Sequence, residues 1–135
     1  MEKVLIENVY GISFHIHEPE MTDDVITTLT ASYSAYIDKR VKERLREETL
    51  HIGNSKPFIY LSNFGTRRAY RQKGYGRKML QWVKEHFEGC FLWLEVSASI
   101  MGEMTDDELV DFYKSEGFKP LYAPFHSHQI MYIEL

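Results

Sequence analysis

One cysteine, Cys90, stands alone among 135 residues, so no disulfide can form within the chain and a cross-linked secreted scaffold is excluded. The four prolines are scattered and no Gly/Ser-rich stretch occurs, so composition marks no boundary between domains. No apolar run approaches the ~18 residues that span a bilayer. The opening MEKVLIENVY has neither the order of a secretory signal nor a lipidation motif. A cytoplasmic protein without membrane contact is the expectation. An excess of basic charge is also lacking. With 16 Lys+Arg against 20 Asp+Glu the net charge is −4, which argues against a surface given over to nucleic acid. What is present is enough chain for one domain, 1–135, with 44% hydrophobic residues to build its core.

Val4 to His17 alternates unevenly around Gly11 and reads as two short strands or a hairpin. From Thr22 the apolar positions Ile26, Leu29, Tyr33, Tyr36, Ile37, Val41 and Leu45 fall at helical spacing. They predict one long helix, or two with a break, to about Leu50, capped by Thr22, with Asp23 and Asp24 offsetting its dipole. Phe58 to Phe64 is rich in strand formers, and Met79, Leu80, Val83 and Phe87 make one face of a helix over Gly76 to Glu88. Cys90 to Val96 is apolar except for Glu95 and reads as a strand buried on both faces. Thr105 and Glu108 form a capping-box pattern for a helix from Asp106 that ends at Gly117. Phe118 to Tyr122 and Ser127 to Leu135 close the chain as strands, and this alternation predicts an α/β fold with a single mixed sheet.

The segment Thr66 to Lys78 carries six basic side chains and no acidic one in an otherwise acidic protein. Gly74 and Gly76 allow a tight turn from strand to helix, and the first amides of that helix point into the turn. No Ser, Thr, Asp or Asn between Arg67 and Lys78 can cap those amides, so an anion should complete the site. A phosphate or pyrophosphate could accept the amides and pair with Arg71, Lys73 or Arg77. Met79 stands where a dinucleotide G-x-G-x-x-G needs its last glycine, and no P-loop pattern occurs. The pairs His126/His128 and His15/His17 have no Cys or carboxylate at ligand spacing, so no metal site is expected.

Arg71-Gln72-Lys73-Gly74-Tyr75-Gly76 resembles the [QR]-x-x-G-x-[GA] cofactor motif of the GNAT superfamily of N-acetyltransferases, and it stands between a strand and a helix as that motif does. Asp111 to Phe118 (DFYKSEGF) resembles the family's second signature, a helix ending in aromatic-Tyr-x-x-x-Gly-Phe. The resemblance covers about Phe58 to Leu135. The N-terminal half departs from it, since the helical stretch leads almost directly to Phe58 where the family usually interposes two strands. A GNAT fold with an abbreviated or variant N-terminal half is therefore expected.

The resemblance implies that the anion is the pyrophosphate of acetyl-coenzyme A, held by amides from Gln72 to Arg77. It implies that the pantetheine arm runs beside Asn63 to Thr66, with Gly65 fitting a bulge, and that an amide near Phe64, Gly65 and Thr66 polarises the thioester carbonyl. An acceptor amine of pKa ~10 is protonated at neutral pH and needs a base, for which Glu95, the lone carboxylate of an apolar strand, is the candidate. Tyr113 matches the family's tyrosine acid for the leaving thiolate. The six acidic residues from Glu103 to Glu116 suggest a negative face and a cationic acceptor. The implied activity is acetyl-CoA-dependent N-acetyl transfer to a primary amine on a small molecule or protein. A non-catalytic acyl-CoA-binding module and nucleic-acid binding through Arg67 to Lys78 stand as alternatives. An amine acceptor is the expected partner, without nucleic acid, and a homodimer is left open.

Overall fold

The run Val25-Ile26-Thr27-Thr28-Leu29-Thr30, β-branched at all but Leu29, weighs toward a strand where its apolar spacing suggests a helix. Stiff branched side chains favour a pleated strand over a helix, and these residues alternate in burial as a half-covered strand does. In the computed structural model, which describes residues 1–33, 39–49, 56–98 and 104–135, they form a strand. Thr22 caps no helix. Its hydroxyl accepts the Asp24 N–H at 3.2 Å in a turn that leads into that strand.

Three strands come first: β1 (Glu2–Asn8), β2 (Gly11–His17) and β3 (Val25–Ser32). Helix α1 (Lys39–Thr49) follows, then β4 (Phe58–Thr66), a single 3-10 turn at Arg68–Tyr70, α2 (Tyr75–His86), β5 (Phe91–Val96), α3 (Asp106–Ser115), β6 (Lys119–Leu121) and β7 (Gln129–Glu134). The long helix expected from Thr22 is thus a strand and a shorter helix. Its middle, Tyr36 and Ile37, lies outside the described residues. The two strands that seemed to be missing before Phe58 are present as β2 and β3, ahead of the helix instead of after it. From Phe58 onward the expected order of elements holds, including the capping box of Thr105 and Glu108.

The seven strands make one sheet in the order β1-β2-β3-β4-β5-β7-β6. All neighbours are antiparallel except β4 and β5, which are parallel and joined through α2. Met79, Leu80 and Val83 of α2 and Tyr113 of α3 pack on one face with Phe14, Leu61 and Leu94. Val41 and Leu45 of α1 cover Trp93 and Ile130 on the other face. Alternation along each strand thereby assigns every residue near the β4–β5 seam to either the α2–α3 face or the α1 face. No helix among the described residues is long and apolar enough to cross a membrane.

Gly11 lies opposite Ser32 where β2 and β3 approach closely, and a Cβ there would overlap the carbonyl oxygen of Ala31. That oxygen belongs to backbone held by the ladder and cannot rotate away. Gly11→Ala should therefore cost about 3 kcal/mol of stability, as forced overpacking does. The expected reading is a lower urea midpoint with an unchanged slope, and a wild-type midpoint would contradict it.

Candidate active site

Strands β4 and β5 pair only from Phe58 to Leu61 and from Phe91 to Leu94. Beyond those residues β4 stays bonded to β3 as far as Thr66, while β5 stays bonded to β7 as far as Val96. A bulge accompanies the parting. Ser62 lies opposite Thr30 and Gly65 opposite Thr28, so Leu29 faces two residues, Asn63 and Phe64, and neither is in the ladder. Asn63 has φ 51°, the left-handed conformation that asparagine tolerates better than other side chains. A bulge of this kind bends its strand and raises the local twist. It sits at Asn63–Phe64 and not at Gly65, which has already rejoined the ladder, and asparagine supplies the unusual φ that glycine was expected to supply.

The parting opens a cleft of about 440 Å³, lined among others by Ser62, Asn63, Phe64, Glu95, Tyr113 and His128. Leu61, Leu94 and Tyr113 belong to the α2–α3 core, whereas Tyr60 packs with the α1 core. Glu95 follows Leu94 and so points to the α1 face with Tyr60. The two residues expected to do chemistry therefore line one gap from opposite faces of the sheet.

Tyr113 is 7% exposed, and burial pushes its phenol up to about 12. It remains a protonated donor throughout the neutral range. Glu95 is more open than the sequence suggested, with 28% of its side chain exposed. Its Oε1 accepts the Tyr60 hydroxyl at a long 3.4 Å, and its Oε2 lies 3.3 Å from His126 Nε2. That imidazole approach is at ion-pair distance but off hydrogen-bond geometry, which leaves the buried His126 Nε2 without a hydrogen-bond partner. Burial, and then the Glu95 charge, raise the Tyr60 phenol. Tyr60, His126 and His128 were missed in the sequence. Period-two alternation in FIYLSNF could have put Tyr60 on the Glu95 face, but no local pattern joins the loop before β7 to β5.

After β4 the chain is pinned by the Arg67 N–H to the Ile26 carbonyl at 2.8 Å and by the Arg67–Asp24 ion pair at 2.7 Å. It then turns through Gln72 and Gly74, at φ 62° and 84°. No side chain caps α2, whose first turn closes with the Lys78 N–H on the Gly74 carbonyl at 3.1 Å. The amides of Tyr75, Gly76 and Arg77 precede that bond and have no partner within the helix. Arg71 Nε donates to the Thr66 carbonyl at 3.0 Å, and Thr66 Oγ1 lies 3.2 Å from Thr27 Oγ1. Lys73 lies over the Tyr70 ring at 5.6 Å. Arg77 is engaged by Glu116 at 2.7 Å and by Ser115 at 3.2 Å, so its charge is already met. What this turn offers a ligand is thus mainly the backbone amide of the first turn of α2.

The negative face expected on α3 is largely structural. Asp106, Asp107 and Glu108 occupy the helix's first turn, where the dipole favours them. Glu108 completes the capping box, Asp106 accepts the Ala98 N–H at 2.7 Å, and the buried Glu116 takes Arg77 and Lys84. Glu103 lies outside the described residues. Cys90 has its thiol raised by burial, as a packed side chain would.

Among solved structures the fold is similar to Bacillus subtilis N-acetyltransferase YlbP in complex with coenzyme A, at TM-score 0.60 and 12% identity over 91% of this chain and 67% of that one. It is also similar to the ribosomal-protein-S18-alanine N-acetyltransferase of Escherichia coli, at TM-score 0.58 and 15% identity over 94% of this chain and 70% of that one. A Corynebacterium glutamicum structure described as histone acetyltransferase HPA2 and related acetyltransferase has TM-score 0.62 and 18% identity over 93% of this chain but only 65% of its own length. The chain thus spans roughly two-thirds of each of these proteins. No curated protein sequence matches it. The profile of the acetyltransferase (GNAT) domain family matches residues 33–120, from the end of β3 to β6 and including the bulge, the glycine turn and Tyr113. With well over half of its length matched, this chain belongs to the GNAT family of acetyltransferase domains.

Proposed function

We propose that the chain transfers the acetyl group of acetyl-coenzyme A to a primary amine by direct attack within a ternary complex. The observation that carries this reading is the gap between β4 and β5, with a protonated phenol on one face and a carboxylate on the other. Phe64, Gly65 and Thr66 would flank the pantetheine arm, and a backbone amide at the bulge would meet the thioester carbonyl as an oxyanion contact. The turn from Arg71 through Gln72, Lys73, Gly74, Tyr75 and Gly76 to Arg77 would hold the pyrophosphate, chiefly by the first amides of α2.

The acceptor then enters from the α1 face, where Glu95, Tyr60, His126 and His128 lie, and the sulfur departs toward the α3 face. Glu95 takes a proton from the entering ammonium so that the nitrogen attacks as a neutral amine, and the proton this nitrogen loses on forming the amide ends on the departing sulfur. Tyr113 donates to the sulfur as the carbon–sulfur bond breaks. A thiol near pKa ~8.5 is a much stronger acid than a phenol at about 12, so complete proton transfer from Tyr113 is uphill by ~3.5 units or ~5 kcal/mol. A hydrogen bond to the developing thiolate, worth ~1.5–3 kcal/mol, is the better description of its work.

Turnover of acetyl-CoA with a panel of primary amines tests the proposal, and binding without turnover of any amine would leave only a coenzyme-binding module. Acetyl-CoA should raise the melting temperature, since binding to the native state alone adds ~2.7 kcal/mol at a hundred times Kd. Gly74→Val should abolish that shift, because a β-branched side chain is strained at φ 84° and the turn would have to rearrange. A full shift in the variant would put the pyrophosphate elsewhere.

Tyr113→Phe should cut kcat by ~10²-fold, the worth of one charged hydrogen bond. Because burial raises the phenol to about 12, wild-type Tyr113 stays neutral from pH 6 to 10 and the ratio of the two rates should be flat across that range. A ratio that collapsed above pH 9 would mean that the phenol ionises there and is not buried as described. Glu95→Gln should behave in the opposite way, with a deficit largest near neutrality that shrinks once the amine arrives unprotonated above its own pKa of ~10. A deficit constant with pH would count against Glu95 as the base.

A further inference from the structure

The edge strand β1 is regular, exposes apolar side chains and is complementary to itself. Among the described residues β1 pairs only with β2, and it does so through seven consecutive registered residues without a bulge or proline. Leu5 and Ile6 are 43% and 51% exposed, and Met1 and Val9 at either end are 52% and 85% exposed. Open edges in soluble proteins are normally disrupted by bulges, prolines or charged side chains, lysine above all. Here the strand carries Glu2, Lys3 and Glu7, of which Lys3, over the Trp82 ring, and Glu7, accepting from the exposed Tyr33 hydroxyl at 3.4 Å, have opposite signs and flank Leu5 symmetrically.

The direction of each backbone group follows from the ladder. The Tyr10 carbonyl accepts the Tyr33 N–H and so faces β3. Alternation then turns Gly11, Ser13, His15 and His17 toward β1, opposite Asn8, Ile6, Val4 and Glu2. Lys3, Leu5 and Glu7 therefore aim their N–H and C=O groups away from the sheet. In an antiparallel pair of identical edges, outward groups must meet outward groups, which restricts the register to steps of two residues.

We propose that β1 pairs antiparallel with β1 of a second copy of this chain, about a twofold axis through Leu5. In that register Leu5 meets Leu5, Lys3 meets Glu7 at both ends, Val4 meets Ile6, and Val9 meets Met1. Glu2 meets Asn8, and every other contact is apolar with apolar or joins opposite charges, the kind of cross-strand pair that stabilises a sheet. A slip of two residues in one direction sets Leu5 against Lys3, and in the other against Glu7. The strand's own charges thus select a closed, isologous dimer whose sheet runs continuously through both copies.

Sedimentation equilibrium and a charge swap test this. At high micromolar concentration the wild type should have twice the 16.0 kDa mass of the chain. Lys3→Glu sets like charges opposite each other twice and should weaken association at least ~tenfold, and adding Glu7→Lys should restore it. A wild type that stays monomeric, a dimer indifferent to Lys3→Glu, or a double variant that stays apart would each overturn the proposal. Amide hydrogen exchange on the wild type gives a readout independent of how the variants fold. Lys3, Leu5 and Glu7 should gain protection as concentration rises, while Val4 and Ile6 are protected throughout. Equal exchange of Lys3, Leu5 and Glu7 at every concentration would refute β1 pairing.

Discussion

The bulge at Asn63–Phe64 is the constraint on which the candidate site depends. A sheet gains most when every edge is bonded, and β4 lies between two partners that could each have held it to its end. By placing two residues against Leu29, β4 keeps its bond to β3 but loses its alignment with β5 after Leu61. A cleft lined by opposite faces of one sheet results, with two residues of β4 out of register with β3 at its edge. The cost is an unusual backbone at Asn63 and lost ladder bonds, and the large packed core on the α2–α3 face keeps the rest of the sheet in place around it.

That core also fixes the second half of the site. Met79, Leu80 and Val83 are fully buried, so α2 cannot shift along the sheet without exposing them, and its N-terminus is held beside the end of β4. Arg71 on the Thr66 carbonyl and Arg67 with Asp24 tie the intervening turn to the same sheet corner. Positive charge in this segment is therefore used twice. Part of it braces the turn, and the turn in turn directs uncapped amides at a common point. Glu116 plays a comparable part behind α2, its buried carboxylate meeting the exposed Arg77 and the partly buried Lys84 and so tying α3, which carries Tyr113, to the helix.

Much of this was legible in the sequence because it is local. The glycine turn, the helix read over Gly76 to Glu88 and found at Tyr75–His86, the apolar strand carrying Glu95 and the capping box at Thr105 each follow from residues within a few positions of one another. What was misread depends on distant partners. Ile26, Leu29 and Tyr33 match a helical stripe as well as a strand, and only pairing with β2 and β4 decides between them. Gly65 seemed the natural bulge because glycine is permissive, but the register between Thr28 and Thr30 moves the bulge to Asn63. Arg77 looked free to meet an anion until α3 brought Glu116 against it. His126 approaches Glu95 only because the loop before β7 folds over the α1 face, and the seeming isolation of Glu95 in an apolar strand hid both Tyr60 and that imidazole.

The central claim is that one ligand joins the bulge to the glycine turn across the parted strands. Amide chemical shifts in a titration with acetyl-CoA test it most directly. The account predicts the largest changes at Asn63, Phe64 and Gly65 and from Gln72 to Arg77, saturating together with one dissociation constant, while β1 is unmoved. Changes confined to the glycine turn, with Asn63 and Phe64 unaffected at saturation, would contradict it.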